Sequence, residues 1–242
     1  MRSLLLLVLF LCLTACKSQP DSANIDNAPS EIIVSSIPPF QTKEPERYRA
    51  TRIITITPTS GEAIVTKTFI ARDGDLRRHE SETNSKRVAY LDLPEGRFVL
   101  LPEERVYADV AAETGVLTSE DEENTPDRLL HTEVESTSYQ KLGSEVIGGR
   151  NSKKYRVVVN GSTAENVSVS ETLIWIDEAL NMPIRSETRA SDGTQIRTEL
   201  ADIVLDVDKR IFQVPDGYEK IALGELRKRL KPEGTKDSQP RR

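Results

Sequence analysis

The sequence predicts a mostly β protein: one domain of about eleven antiparallel strands with two short helices. Three observations carry this. Short runs rich in Val, Ile, Thr and Phe recur between residues 46 and 222. Turn signals separate them, among them Thr59-Ser60-Gly61, Asp73-Gly74, Pro94-Glu95-Gly96, Gly148-Gly149, Asn160-Gly161 and Asp192-Gly193. No self-similarity stands out at the roughly 20–50-residue period of propellers and solenoids. A meander follows, and two architectures fit it: a sandwich, or one long sheet curled around helices.

In chain order, Tyr48–Pro58 is a first strand and Glu62–Arg72 a second. Asp73-Gly74 is a two-residue hairpin signal, so Leu76–Glu80 returns as a short polar strand. Lys86–Leu93, Arg97–Leu101 and Arg105–Val110 follow, divided by Pro-Glu turns. The middle changes character. Ser119–Asn124 is an acidic loop, and Thr125-Pro126-Asp127 has an N-cap residue followed by proline at the first helical position. That predicts a short helix over 125–131. Strands resume at Ser144–Ile147, Lys153–Val159 (closed by Asn160-Gly161), Val167–Asp177, Pro183–Ala190 and Thr194–Leu205. A second helix is expected over 223–230, where Glu225 and Arg229 are four apart and Pro232 follows.

The chain has 242 residues, with 33 Lys+Arg against 39 Asp+Glu and a net charge of -6. A general nucleic-acid binder would carry the opposite balance. The two cysteines are Cys12 and Cys16, both near the N-terminus. The run from Leu4 to Leu13 is too short to span a membrane, for which roughly 20 apolar residues are needed, and has the length of a signal-peptide core. It ends in Leu13-Thr14-Ala15-Cys16, which resembles the bacterial lipobox. The resemblance implies cleavage before Cys16 and acylation of its thiol, with palmitate among the acyl groups. The mature chain would then hold no free thiol and no disulfide, which excludes thiol catalysis and Cys-ligated zinc. Acyl chains on Cys16 would make the membrane a partner, because each buried methylene contributes about 0.8 kcal/mol. Lys17 follows the cysteine, rather than the aspartate that resembles an inner-membrane retention signal. The expected location is therefore the outer membrane, facing the periplasm. Residues 1–15 are the signal peptide, 16–45 the anchor and a polar tether, 46–230 the domain, and 231–242 a polar tail. Residues 31–40 regain apolar character and are expected against the domain.

Several motifs resemble a known family. Tyr48-Arg49-Ala50-Thr51 and Thr68-Phe69-Ile70-Ala71-Arg72-Asp73-Gly74-Asp75-Leu76-Arg77 resemble the opening hairpin of LolA-like lipoproteins. Leu173-Ile174-Trp175-Ile176-Asp177 with Asn181-Met182-Pro183-Ile184-Arg185 resembles a later hairpin, and Phe212-Gln213-Val214-Pro215-Asp216-Gly217-Tyr218 the closing segment. The resemblance implies a curved antiparallel half-barrel wrapped over helices. In the carriers of that superfamily the concave apolar face holds acyl chains of lipids or lipoproteins, and related domains sense mislocalised lipoproteins. An anchored member is more like a receptor than a shuttle.

Motifs for chemistry are few. His79 and His131 belong to no metal-ligand spacing. No G-x-S-x-G elbow, phosphate-binding glycine loop or cofactor motif is present. The acidic run Glu120–Glu123 lacks the alternating ligands of a calcium loop and reads as solvated. The expected function is non-enzymatic and free of cofactor and metal, with a lipid acyl chain or lipoprotein as ligand. The competing reading is an interaction module with a filled core. Several strands carry apolar residues at both parities, so their sheet has neither face simply wet. If a ligand binds, its contacts should come from one parity of neighbouring strands, at positions such as Val65, Phe69, Val88, Tyr90, Leu100 and Trp175. Trp175 should be buried in a central strand.

Overall fold

The computed structural model describes residues 32–35, 37–110, 136–162 and 167–231. The strands are β1 (Ile32–Val34), β2 (Arg47–Thr57), β3 (Ile64–Asp73), β4 (Leu76–Thr83), β5 (Lys86–Leu93), β6 (Gly96–Leu101) and β7 (Val106–Asp109). They continue as β8 (Ser136–Ile147), β9 (Arg150–Ser162), β10 (Val167–Asp177), β11 (Pro183–Arg189), β12 (Gln195–Val204) and β13 (Glu219–Lys220). A 3-10 turn covers Lys209–Phe212, and helix α1 covers Leu223–Leu230. All thirteen strands join one open, curved sheet in the order β1-β8-β9-β10-β11-β12-β2-β3-β4-β5-β6-β7-β13. One long sheet is therefore the architecture, and the sandwich is not.

Local chemistry explains most boundaries. β4 and β5 meet at Asn84-Ser85, both in the left-handed region with φ of 51° and 61°. Both central residues of a type I′ turn need that conformation. β8 and β9 turn at Gly148-Gly149, with φ of 55° and 79°. The first hairpin sits one residue later than Asp73-Gly74 suggests. Asp73 still pairs with Leu76, so Gly74 and Asp75 form its tip. Asn160-Gly161 does not turn the chain. It pairs with Val169 and Ser168 inside the β9–β10 ladder, so β9 runs on to Ser162. The strong local turn dipeptide is overridden by continuation of the ladder on both strands.

Three further expectations are corrected. The strand count is thirteen, because β1 and the two-residue β13 join at the edges. β13 pairs with β7 in parallel, so the sheet is mixed rather than purely antiparallel. β8 begins at Ser136 rather than Ser144. Within the apolar stretch expected against the domain, β1 pairs with β8 and Phe40 packs on Tyr139 and Tyr155. Helix α1 coincides with the expected 223–230, and its Glu225–Arg229 pair forms at 2.5 Å. The lipobox, Cys16, the acidic run, the helix expected over 125–131 and His131 lie outside the described residues.

Register divides side chains between two faces, called here the Ile70 face and the Phe69 face. At the β4–β7 end the C-terminal segment covers both. On the Phe69 face, Val207, Ile211 and Phe212 pack against Phe69, Ala71, Leu76 and Leu93. Val214 and Tyr218 pack with Ala89, Leu91, Phe98 and Leu100. The chain then passes the sheet edge as β13, and α1 sets Leu223 and Leu226 on Val88, Val99, Leu101, Val106 and Ala108 of the Ile70 face. This explains the two-sided apolarity of β5 and β6.

Candidate functional site

The candidate ligand residues do not share a face. β3, β4, β5 and β6 pair through Phe69–Glu80, Glu80–Ala89 and Ala89–Leu100, so Phe69 and Leu100 lie together, with Val65 on the same side four residues before Phe69 in β3. Register carries Trp175 to that face through Arg185, Glu199, Ile53 and Lys67, while beside the register shift at Trp175/Ile176 it packs in one cluster with Ile184, Leu200 and Ile70. Val88 and Tyr90 lie on the other, because Tyr90 pairs with His79 and His79 with Ile70. The grouping of six is corrected to four and two. Strand alternation assigns parity only within a strand, and a one-residue shift in pairing moves a whole set to the other side.

Their surroundings differ as well. Val88, Leu100 and Trp175 are 0%, 1% and 2% exposed. Val88 lies beneath α1, and Leu100 beneath Val214 and Tyr218. Phe69 and Tyr90 are partly buried at the margins of these clusters. Val65 is 54% exposed. At the clamped end the apolar space is occupied by the chain's own side chains.

The Ile70 face of β11, β12, β2 and β3 is different. Its inner part is buried, with Tyr48, Ala50, Ile70, Ile184 and Leu200 in one cluster. Towards the β2–β3 turn, register sets Ile196, Ile56 and Ile64 side by side across three strands. Ile196 is 38% and Ile64 61% exposed, and Ile56 is half-buried. Ile54 lies behind Ile56 on the same face, opposite Thr198 and Thr66. Arg52 follows between Leu200 and Thr68, which brings a cation into the apolar row. An exposed aliphatic row thus runs into a buried core with one guanidinium between them. The sequence signal for the row is the Ile53-Ile54-Thr55-Ile56 run, whose partners only pairing could name.

A part-buried ion cluster closes the opposite end of that face. Glu44 accepts hydrogen bonds from the Tyr48 hydroxyl at 2.8 Å, from Arg72 at 3.0 Å, and from both terminal nitrogens of Arg77 at 3.0 and 2.8 Å. Burial by itself would raise the Glu44 pKa. The hydrogen bonds from Arg77 and Tyr48 and the charges of Arg77 and Arg72 outweigh it and hold the carboxyl below its ordinary value. Burial, first, and the Glu44 charge push the Tyr48 phenol up. The cluster fastens the segment before β2 onto the sheet, helped by the Lys43 amide donating to the Asn181 carbonyl.

The Phe69 face of β8–β12 is charged. Arg185–Glu199 and Arg197–Glu187 are directly opposed pairs at 2.8 and 2.9 Å. Trp175 lies beneath Lys154 and Arg185, 4.6 and 5.6 Å from its ring centre, and its indole donates to Glu145 at 2.8 Å. That bond, before the Lys154 charge, lowers the Glu145 pKa. A groove of about 570 Å3 opens nearby, lined by Thr55, Thr57, Glu171, Leu173, Arg189 and Arg197 among others. It has the volume of a small-molecule site, and its wall mixes polar and apolar surface in about equal parts.

Asp177 is 1% exposed yet structural in its contacts. It accepts from the Ala179 and Leu180 amides at 2.9 and 2.7 Å and from Arg150 at 2.5 Å, which shapes the β10–β11 turn. Among the described residues no three His, Cys, Asp or Glu are grouped to hold a metal, and no helix is long and apolar enough to cross a membrane.

No family model matches the chain, and no curated protein matches it. Solved structures similar to it include a LolA superfamily protein from Nitrosomonas europaea, with 11% identity, a TM-score of 0.30, and 69% of this chain and 90% of that one covered. A DUF1329 family protein from Desulfovibrio piger has 10% identity and a TM-score of 0.29 over 69% and 90% of the two chains. A putative outer membrane lipoprotein-sorting protein domain from Vibrio parahaemolyticus has 11% identity and a TM-score of 0.23 over 69% and 89%.

Proposed function

We propose that the protein is a non-enzymatic, membrane-anchored lipoprotein of the cell envelope that holds an acyl chain, free or lipoprotein-borne, against the Ile70 face of its sheet. It is anchored through acylated Cys16, and the outer membrane facing the periplasm is the expected site. One observation carries the ligand reading: the cross-strand row Ile196–Ile56–Ile64 is exposed and continuous with the buried cluster around Ile70 and Leu200. An aliphatic row open to water gains on the order of 25 cal/mol per Å2 when an apolar chain covers it.

The filled clusters at the β4–β7 end favour the second reading, an interaction module without ligand. A titration of lipid-stripped protein with a dansylated fatty acid separates the two. Saturable binding that Ile64→Glu abolishes, without loss of the folded state, supports the acyl reading. Ile64 is exposed, so the new carboxylate stays solvated while the row loses its apolar continuity. Absence of saturable binding by the wild type leaves the interaction module.

A further inference from the structure

We infer that β1 and the turn after it form a second membrane contact: an apolar edge that rests in the interfacial region of the phospholipid bilayer to which the chain is anchored. This rests on the reading of Cys16 as the lipid anchor.

β1 is a terminal strand of the sheet, paired only with β8. Its sequence is Ile32-Ile33-Val34, with 63%, 39% and 72% exposure, and Ile37 just beyond is 73% exposed. Leu142 on the neighbouring strand, two residues past the partner of Ile32, is 39% exposed. Edge strands are ordinarily blunted by a charge, a proline or a bulge, because an open row of backbone groups recruits other strands. Ile32–Val34 has none of these, and only its three-residue length limits strand recruitment. Apolar side chains point from it to both faces and remain uncovered.

The chain upstream selects the occupant. Cys16 lies sixteen residues before Ile32. Even fully extended, sixteen residues reach no more than about 56 Å, and no other described strand is tied to the anchor by so few residues. β7 and β13 lie at the other end of a thirteen-strand sheet. A second copy of the chain is the weaker candidate. A stable interface buries about 800 Å2 on each partner, and a three-residue strand with a few aliphatic neighbours falls short of it. A bilayer sets no such minimum, because the anchor has already met the cost of bringing the surfaces together. The interfacial zone also contains water and headgroups, which satisfy the open N–H and C=O groups of the edge; the hydrocarbon core would not.

The test uses the full lipoprotein in liposomes. Under the anchor reading the mature chain has no free thiol, since Cys12 is removed and Cys16 is acylated. A single added cysteine therefore labels cleanly. Val34→Cys and, near the other end of the sheet, the exposed Glu95→Cys each carry an NBD fluorophore. A nitroxide on the lipid headgroup should quench the label at 34 several-fold more than the label at 95. Adding Ile32→Asp and Ile37→Asp should bring the two to the same level while palmitate labelling is unchanged. Equal quenching at 34 and 95 in palmitate-labelled protein overturns the membrane contact and leaves the anchor standing. Energy transfer between copies labelled at 34, without headgroup quenching, overturns it in favour of a second copy. Absence of palmitate labelling in the wild type overturns the anchor reading and the contact with it.

Discussion

The two ends of the β2–β7 half of the sheet use similar residues for opposite purposes. At β5–β7, Val88, Val99, Leu100 and Leu101 are 0–2% exposed because the C-terminal segment crosses one face, rounds the edge as β13 and returns as α1 on the other. At β12–β2–β3, Ile196 and Ile64 keep 38% and 61% of their surface in water. Aliphatic content does not distinguish the regions. What differs is whether a later part of the chain returns to cover them. A strand's pattern states which side chains share a face, and only a packed partner turns that face into core.

The largest effects should come from the clamped end. Leu226 is 1% exposed beneath Val88 and Leu101, so Leu226→Ala should cost about 2–5 kcal/mol in urea unfolding. Ile64→Ala should cost no more than about 0.5 kcal/mol, as exposed substitutions usually do. Equal costs would erase the contrast.

Glu44 lies between the two regions and sharpens the comparison through pH. Its folded pKa is depressed, so its contribution is present above the unfolded carboxylate value and lost as pH falls through the folded one. Glu44→Gln should destabilise by about 2–3 kcal/mol at pH 7, since it leaves Arg72 and Arg77 without their carboxylate. The difference from wild type should shrink below about pH 4.5, the ordinary glutamate range. A pH-independent difference would assign Glu44 a packing role instead. Below this in size is Glu145→Gln. It weakens the bond from the Trp175 indole and should cost about 1 kcal/mol while shifting the emission of the sole tryptophan. Also small is Arg197→Ala at the half-exposed pair with Glu187, expected at about 0.2–1 kcal/mol and diminished by salt.

Much of this was legible along the chain. β5 over Lys86–Leu93, β10 over Val167–Asp177 and α1 over Leu223–Leu230 have the bounds that alternation, turn residues, the Glu225–Arg229 spacing and Pro232 suggest. Trp175 is buried in an interior strand, as its place in the longest apolar run implies. The candidate site was less legible. Phe69 and Leu100 were placed with Val88 and Tyr90, yet pairing sends the two sets to opposite faces. The isoleucine row was not singled out, because its members come from strands far apart in sequence.

The sequence by itself determined the strand and helix segments, most turns and the alternation within each strand, because those follow from interactions between residues a few positions apart. Tertiary structure alone decided which strands are neighbours, where bulges shift register at Lys141/Gly143, Trp175/Ile176 and Ala201/Val204, and which faces the C-terminal segment covers. The physical reason is the two-residue period of a strand: a single bulge or slipped pair exchanges inside for outside across every strand beyond it, and no local propensity records that choice.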